Sequence, residues 1–258
     1  MIRKITDIGT VVSQECLADG VYRMVIKTEI AKLAVSGQFV SVYCEDKTRM
    51  LPRPISLCAI DKAEETITLV YRIAGKGTDE FSQYEAGHKV KLLGPIGNGF
   101  TIEGSRPIVI GGGIGVPPML QLSREFSDLG IRPQIVLGYR DSQLFLKEEF
   151  GRLGDLYIAT DDGSAGCHGT VVDAMKAAGL DGDVIYACGP KPMLRAIKQF
   201  AVQNDIKCYV SMEERMACGV GACLACVCQT TGVDDHSQVK NARVCVDGPV
   251  FLATDIEL

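Results

Sequence analysis

The most informative stretch of this chain reads Met216-Ala-Cys218-Gly-Val-Gly-Ala-Cys223-Leu-Ala-Cys226. Its cysteines Cys218, Cys223 and Cys226 stand at C-x4-C-x2-C spacing, and Cys245 follows after an intervening polar segment. Three thiolates on one loop and a fourth from farther along the chain form the ligand pattern of a 2Fe-2S cluster. The sequence therefore predicts that these four cysteines ligate such a cluster.

Structural zinc is the main alternative for four cysteines. Zinc sites normally offer two C-x2-C-like pairs, whereas three of these cysteines share one loop. Gly219 and Gly221 favour the iron–sulfur interpretation, because glycine lets the backbone wrap and point N–H groups at the sulfurs. A cysteine loop that binds no metal is a further alternative. Cys228, two residues beyond the loop, is predicted to be a small buried apolar side chain and not a ligand.

Composition indicates a globular protein with a sizeable core. The 258 residues are 47% hydrophobic and 23% charged, which suits two domains and a small module. A net charge of −5 without a basic block argues against a nucleic-acid partner. The first residues, Met1 to Asp7, lack the apolar run of a signal peptide, and no stretch approaches the length of a membrane span. We therefore expect a cytoplasmic protein with no membrane partner.

The remaining cysteines and the histidines suggest no catalytic chemistry. Six cysteines are scattered singly and are expected to be free thiols in the core: Cys16, Cys44, Cys58, Cys167, Cys188 and Cys208. The histidines, His88, His168 and His236, are isolated in sequence and are predicted to be surface or hydrogen-bonded side chains. No catalytic residue is predicted.

Residues 1–100 show the pattern of a small antiparallel β-barrel. Four segments are predicted to be short strands separated by turn signals: Val21–Lys27, Phe39–Tyr43, Thr66–Tyr71 and Lys89–Leu93. The best of them alternate apolar and polar residues, which is the period of a strand with one buried face. Short strands at this spacing are more consistent with a barrel than with alternating strands and helices.

Two segments of the predicted barrel are suited to an anion. In the first, Arg53 lies between two prolines, and Pro54, Ile55 and Ser56 continue the segment. A guanidinium fork matches phosphate oxygens, and prolines would hold it in place. The second, Gly75–Thr78, is a predicted turn whose glycines would let backbone N–H groups approach an anion. Taken alone, the residues favour a proline-bounded edge strand and a simple loop.

Strands and helices alternate after residue 100. A tight loop at Gly94–Phe100 is expected to close the barrel. Strands are then predicted at Arg106–Ile110, Gln134–Leu137, Leu156–Ala159, Asp183–Ala187 and Lys207–Val210, with helices near 119–129, 170–178 and 191–203. This alternation is typical of a doubly wound parallel sheet. We predict a barrel at 1–100, an α/β domain at 101–210 and a cluster module at 211–258.

The first strand of the predicted sheet runs into a glycine-rich turn. Gly111, Gly112, Gly113 and Gly115 precede a helix that starts with prolines, so a phosphate could reach the helix N-terminus. The turn is not the full G-x-G-x-x-G fingerprint, because Val116 takes the place of the last glycine. A bound nucleotide is nevertheless expected.

A second turn ends another strand at the same predicted edge of the sheet, where ligands bind in open α/β folds. It consists of Cys188, Gly189 and Pro190. The residues leave open whether this turn is structural or forms a wall of a nicotinamide site.

The order of these motifs resembles that of the ferredoxin reductase superfamily. Within it, the runs Glu214–Cys226 and Asp247–Phe251 are similar to those of the electron-transfer subunits of type B dihydroorotate dehydrogenase, and the likeness covers essentially the whole chain. The resemblance implies an FAD-binding barrel, an NAD-binding domain and a 2Fe-2S module. It also implies a site for the flavin pyrophosphate at Arg53 to Ser56, completed by Val70, Tyr71, Arg72, Gly77 and Thr78. The one noted departure is Ser36, where relatives often carry proline.

The resemblance further implies a division of labour in pyrimidine biosynthesis. A separate FMN-containing subunit, with two copies of each chain expected in the complex, would oxidise dihydroorotate. Its electrons would pass through the cluster and FAD of this chain to NAD. Flavin is needed between them because a cluster passes electrons singly and nicotinamide accepts hydride.

Two other functions stay open at this stage. The chain could be a small FAD and 2Fe-2S subunit of another NAD(P)H-linked oxidoreductase, serving sulfide or ferredoxin, or a regulator that binds nucleotide and metal without catalysis. The preference for NAD over NADP is also open. Arg140 could meet a 2′-phosphate, whereas Asp161 and Asp162 would repel one.

Overall fold

The computed structural model describes residues 4–233 and 238–258. Its N-terminal part is a closed antiparallel barrel in the order β1-β2-β5-β4-β3-β6. The strands are β1 (Ile5–Ala18), β2 (Val21–Lys27), β3 (Phe39–Val42), β4 (Arg53–Asp61), β5 (Thr66–Arg72) and β6 (Lys89–Ile96). Two short helices, α1 (Ile30–Leu33) and α2 (Lys76–Phe81), accompany them. The predicted barrel is confirmed.

Two barrel strands were missed by the sequence pattern, and each has a physical reason. Strand β1 pairs with both β2 and β6, and two bulges against β2 disturb its alternation. Strand β4 begins at Arg53, and its proline suggested an edge. The strand as a whole lies between β3 and β5, but Arg53–Ser56 pairs with β3 and Leu57–Asp61 pairs with β5. Pro54 therefore lies where one side of the strand is unpaired, which agrees with the expectation of an edge at this segment.

Two predicted loops also contain regular structure. Strand β6 runs to Ile96, so the turn expected at Gly94–Phe100 starts only at Gly97. The predicted turn Gly75–Thr78 is the beginning of α2, because the Thr78 hydroxyl accepts a hydrogen bond from the Ala74 N–H at 2.9 Å and caps that end.

The second part is a seven-stranded sheet in the order β10-β9-β8-β7-β11-β12-β15. Its strands are β7 (Pro107–Gly112), β8 (Gln134–Tyr139), β9 (Asp155–Thr160), β10 (Cys167–His168), β11 (Val184–Cys188), β12 (Lys207–Ser211) and β15 (Val250–Leu252). The helices are α3 (Pro118–Asp128), α4 (Lys147–Gly151), α5 (Val171–Ala177) and α6 (Lys191–Gln203). Two 3-10 turns occur at Gly113–Gly115 and Ala253–Asp255.

The sheet is doubly wound, as predicted. Strands β7 to β10 run outward in one direction, and β11 and β12 lie on the other side of β7, all in parallel. The order therefore reverses between β7 and β11. In open α/β sheets this switch point is where ligands bind, at the carboxyl ends of the strands.

Polar contacts fix the barrel against the sheet domain. The Ile60 N–H of β4 donates to the Gln121 side chain of α3 at 2.9 Å, and Arg23 pairs with Glu149. The Ser36 hydroxyl donates to Glu125 at 2.5 Å. Ser36 thus forms a bond between domains that a proline at this position could not form.

The C-terminal segment is packed into both neighbours. Strand β15 pairs antiparallel with β12, and the Asn98 N–H after the barrel donates to the Gly248 carbonyl at 2.6 Å. A small ribbon of β13 (Val227–Gln229) and β14 (Asn241–Arg243) completes the segment. Its buried apolar residues other than Val250, including Cys245 and Ile256, belong to the same apolar cluster as Ile110 of the sheet. The domain boundaries at residues 100 and 210 remain a prediction.

Cysteine burial agrees with the sequence in part. Cys58, Cys208 and Cys228 are buried, as expected of small apolar side chains. Cys16 is exposed near the end of β1, so the core location expected for it was wrong. His236 lies outside the described residues. Within the described ranges, no helix is long and apolar enough to cross a bilayer.

The shared core leads to a prediction about stability. Ile256→Ala should lower the free energy of unfolding by about 2–5 kcal/mol, because it opens a cavity in the apolar core that the C-terminal segment shares with the sheet. Equilibrium urea unfolding followed by circular dichroism measures this. Val202→Ala, at a 62% exposed position, is the control and should change little. Equal stabilities for the two variants would contradict a shared core.

Candidate functional site

The cysteine loop connects β12 to β13 and is shaped by left-handed glycines. Gly219 has φ of +66° and Gly221 has φ of +85°, a region that side chains disfavour. The turn points the N–H groups of Val220 and Cys223 at the sulfur of Cys218, each at 3.4 Å. The backbone wrap expected for a cluster loop is therefore present.

A hydrogen-bonded turn brings Cys245 to this loop. The Val244 N–H donates to the Cys226 carbonyl at 2.9 Å, and the Arg243 guanidinium donates to the Gly221 carbonyl at 3.1 Å. A Cβ atom on Gly221 would lie 2.5 Å from the Val246 side chain, so only glycine allows this approach. Arg243 was missed by the sequence analysis, since nothing in its local pattern marks a contact 22 residues away.

The four thiols form two pairs in the fold. Cys218 contacts Cys223, and Cys226 contacts Cys245. Burial opposes ionisation of Cys218, but hydrogen bonds from the Val220 and Cys223 N–H groups outweigh it and lower its pKa to about 6. Burial, followed by the adjacent Cys226, raises the pKa of Cys245 to about 12.

This donor set fits a 2Fe-2S cluster, in which four cysteines hold two irons and each iron takes two thiolates. The described residues contain no group of three or more His, Cys, Asp or Glu donors arranged for a single metal ion. Two thiol pairs, with Cys218 also acting on Cys245, agree with both observations. The N–H groups aimed at Cys218 would also stabilise a sulfur that carries negative charge.

The predicted flavin motif lies at the start of β4, beside α2. A Cβ atom on Gly77 would lie 2.1 Å from Nε and 2.5 Å from Cζ of Arg53, so the guanidinium occupies the space that a larger residue would fill. Arg53 also donates to the Leu51 carbonyl. The structure thus brings Arg53 and Gly77 together, and the first backbone N–H groups of α2 lie beside the cation. This combination is suited to pyrophosphate.

The other predicted flavin residues differ in what they can offer. The hydroxyl of Thr78 is used in capping α2, which leaves its backbone for a ligand. The Tyr71 ring lies in the barrel core, and its hydroxyl donates to Gln14 at 3.0 Å, so only its main chain can serve a ligand outside the barrel. Val70 packs against residues of the sheet domain, and Arg72 is exposed.

The two predicted nucleotide turns meet at the switch point. Gly111 of β7 stands opposite Cys188 of β11 in the register. A Cβ atom on Gly115 would lie 2.4 Å from the Cys188 carbonyl oxygen, and one on Gly112 would lie 2.3 Å from the Met193 sulfur. The glycines therefore allow the turns to touch. Gly113 has φ of +54° and opens the 3-10 turn that leads to α3.

The second turn carries a neutral thiol and an ion pair. Burial raises the pKa of Cys188 to about 12. Lys191, the first residue of α6, pairs with Glu214 at the entry of the cysteine segment. This pair ties the nucleotide turn to the cluster loop, and sequence analysis missed it because the two residues are 23 positions apart.

The residues considered for 2′-phosphate discrimination lie at the same edge. The Asp162 N–H donates to the Arg140 carbonyl at 3.2 Å, which places the two loops side by side. Hydrogen bonds from the Ser164 side chain and N–H lower the pKa of Asp162, so this carboxyl is charged at neutral pH. The Arg140 and Asp162 side chains are both exposed, and their positions do not favour NAD over NADP or NADP over NAD.

Two family models match the chain. Residues 109–199 match the oxidoreductase NAD-binding domain, and residues 213–257 match the iron-sulfur cluster binding domain of dihydroorotate dehydrogenase B. The matched regions contain the switch-point turns and the four cysteines, respectively.

Curated relatives match along the full length. A Bacillus caldolyticus protein named dihydroorotate dehydrogenase B (NAD(+)), electron transfer subunit, is 43% identical over 256 residues, covering 96% of this chain and 97% of the relative. The protein of the same name from Listeria monocytogenes is 42% identical over 253 residues, with the same coverage.

Solved structures show the same architecture. One described as an NADH-dependent reduced ferredoxin-NADP oxidoreductase superimposes with a TM-score of 0.87 at 26% identity, covering 97% of this chain and 90% of that chain. A ferredoxin reductase in carbazole 1,9a-dioxygenase gives a TM-score of 0.69 at 19% identity, covering 80% and 67%. The second likeness supports the fold alone.

The donor set predicts that Cys245 is indispensable for the cluster. Cys245→Ser should abolish incorporation, because the buried Cys226 and Cys245 form one thiol pair. Iron and acid-labile sulfide per chain measure the result. Cys228→Ala, a buried cysteine outside the ligand set, is the matched control and should keep both. A full complement of iron and sulfide in Cys245→Ser would show that the ligand assignment is wrong.

The contact of Arg53 with Gly77 predicts a role in flavin retention. Arg53→Ala removes charge-assisted hydrogen bonds and should weaken FAD binding by roughly 10- to 150-fold. Arg53→Lys should recover little, because lysine lacks the planar fork. Equilibrium titration of the apoprotein with FAD measures both. The control is Arg152→Ala, at an exposed position of the sheet domain. An unchanged dissociation constant for Arg53→Ala would rule out the pyrophosphate role.

Proposed function

The chain belongs to the family of dihydroorotate dehydrogenase B electron transfer subunits, and from that premise we propose how its parts divide the work. It is an oxidoreductase subunit that uses FAD, a 2Fe-2S cluster and NAD. It acts in the NAD-dependent oxidation of dihydroorotate, a step of pyrimidine biosynthesis, and depends on a separate catalytic subunit for the oxidation itself.

One observation carries this proposal: the cysteine loop touches the barrel on one side and is tied to the nucleotide turn on the other. Gly219 lies against Ser41 of β3, and Glu214 pairs with Lys191 of α6. A cluster held by this loop would therefore lie close both to the barrel, where flavin is proposed to bind, and to the dinucleotide edge of the sheet. Bound FAD would supply the conversion between single electrons and hydride.

Each proposed binding residue has a defined task. Cys218, Cys223, Cys226 and Cys245 ligate the cluster. Arg53 holds the flavin pyrophosphate with the start of α2, and the rest of the flavin site is proposed at Pro54, Ile55, Ser56, Val70, Tyr71, Arg72, Gly77 and Thr78. The nicotinamide dinucleotide binds across the switch point, at Gly111, Gly112, Gly113, Gly115, Cys188, Gly189 and Pro190. Support comes from the close approach of these backbones.

None of these residues needs to act as a general acid or base on the pyrimidine. His88 is stacked on Tyr84 with ring centroids 3.8 Å apart, beside Glu45 on the barrel, and His168 lies at the far edge of the sheet on β10. We therefore assign dihydroorotate oxidation to the partner.

The partner proposed is an FMN-containing catalytic subunit, in a complex with two copies of each chain, working in the cytoplasm. The cluster loop supports a docking face for it. Val220 is 45% exposed and Leu224 is 75% exposed, and both lie within the cysteine loop. Exposed apolar side chains around a redox centre suit a desolvated contact where electrons cross. Met216, grouped with them on sequence grounds, packs against the core and is only half-exposed.

A ferredoxin- or sulfide-linked subunit is the second candidate. The likeness to the ferredoxin-NADP oxidoreductase structure favours it, since that fold covers 97% of the chain. Sequence identity is 26% there and 43% to the Bacillus caldolyticus subunit. All four cysteines are also present, and residues 213–257 match the iron-sulfur cluster binding domain of dihydroorotate dehydrogenase B. Both observations favour the dihydroorotate-linked function.

The division of labour predicts two separable activities. The isolated chain should oxidise NADH with artificial dyes and leave dihydroorotate untouched, and addition of the FMN subunit should restore NAD-linked orotate formation. Both rates are measured spectrophotometrically. Leu224→Glu should impair the second activity and spare the first, because a charge would be buried in the contact.

Leu129→Glu is the control for this prediction. Leu129 is 63% exposed at the end of α3, outside the cysteine loop, so its substitution should affect neither activity. Dihydroorotate oxidation by the isolated chain would contradict the division of labour. Normal orotate formation by the Leu224→Glu complex would contradict the docking face.

A further inference from the structure

A serine on the barrel is almost completely buried. Ser41 is 1% exposed, so its hydroxyl has little access to water. Burying a hydroxyl without a hydrogen bond is unfavourable, so such groups in native proteins normally meet an acceptor. A bound group at this place would provide one.

Ser41 faces outward from the barrel toward the cysteine segment. On β3, Val40 and Val42 point into the barrel core, whereas Phe39 belongs to the apolar cluster shared with the cysteine segment. Alternate residues of a strand point to the same side, so Ser41 shares the face of Phe39. Across the register it stands opposite Pro54 of the flavin motif.

The Ser41 hydroxyl oxygen lies close to Gly219 of the cysteine loop. A Cβ atom on Gly219 would lie 3.0 Å from it and 3.4 Å from the Ile96 side chain. Gly219 directly follows Cys218, so the hydroxyl lies beside the peptide that carries a proposed ligand. It is also between that ligand and the strand of the flavin motif.

We propose that the Ser41 hydroxyl donates a hydrogen bond to a sulfur of the iron–sulfur cluster and thereby raises the reduction potential of that cluster. Hydrogen bonds to cluster sulfurs favour the reduced form, because reduction adds negative charge. Ser41 is a positioning residue, and its role rests on the proposed ligation by the four cysteines.

The test compares cluster potentials in holoprotein that contains FAD and the cluster. Ser41→Ala should shift the one-electron reduction equilibrium about tenfold toward the oxidised form, or ~59 mV downward, in a redox titration followed by electron paramagnetic resonance. Ser41→Thr keeps the hydroxyl and should shift it much less. Ser123→Ala removes a buried hydroxyl that already donates to the Met119 carbonyl at 2.9 Å, and should leave the potential unchanged.

A second readout identifies the proton itself. After exchange into deuterium oxide, electron-nuclear double resonance of the reduced wild-type cluster should show one exchangeable deuteron coupling that is absent from Ser41→Ala. A cluster potential that is unchanged in Ser41→Ala, or a shift confined to the flavin, would overturn the proposal. An error in the proposed cysteine ligation is detected separately, because Cys245→Ser would then retain its iron and sulfide.

Discussion

The packing of the cysteine segment between the barrel and the parallel sheet is the constraint on which the arrangement depends. Strand β15 extends the sheet beyond β12, and Asn98 binds Gly248 at the exit of the barrel. Because the segment shares its apolar core with the sheet, it has little opportunity to pack alone. The cluster loop is thereby fixed next to both neighbouring parts of the chain, which a tethered module would not achieve.

Glycine makes this close packing possible at the cysteine loop and at the switch-point turns of the sheet. Gly219 and Gly221 bring the loop to the barrel and to the Cys245 turn, and Gly115 lets the two switch-point turns touch. At each position a Cβ atom would come within 3.0 Å of a neighbouring atom. Backbone contacts thus hold the three proposed cofactor sites close together. Arg53 offers a charged group to the flavin pyrophosphate, and the Lys191–Glu214 ion pair joins the nucleotide turn to the cysteine segment.

Sequence predicted the elements better than their contacts. The ends of α6 and the cysteine spacing were readable, because helical periodicity and ligand spacing are local properties. The full length of strand β4 was not readable, since Pro54 marks an edge and only the closed barrel shows that the strand continues as Leu57–Asp61 beside β5. Ser41, Arg243 and the Lys191–Glu214 pair depend on residues distant in sequence, so no local pattern marks them. The sequence pattern likewise gave no sign that the Thr78 hydroxyl caps α2.

The central claim is that the cluster and the nucleotide edge exchange electrons through flavin within this one chain. Its most direct test starts from the isolated oxidised chain, to which NADH is added while the cluster signal is followed by electron paramagnetic resonance. The account predicts that the signal of the reduced cluster appears as NADH is consumed, and that it does not appear in chain depleted of FAD. A cluster that stays oxidised in FAD-replete chain, or one that is reduced equally fast without FAD, would contradict it.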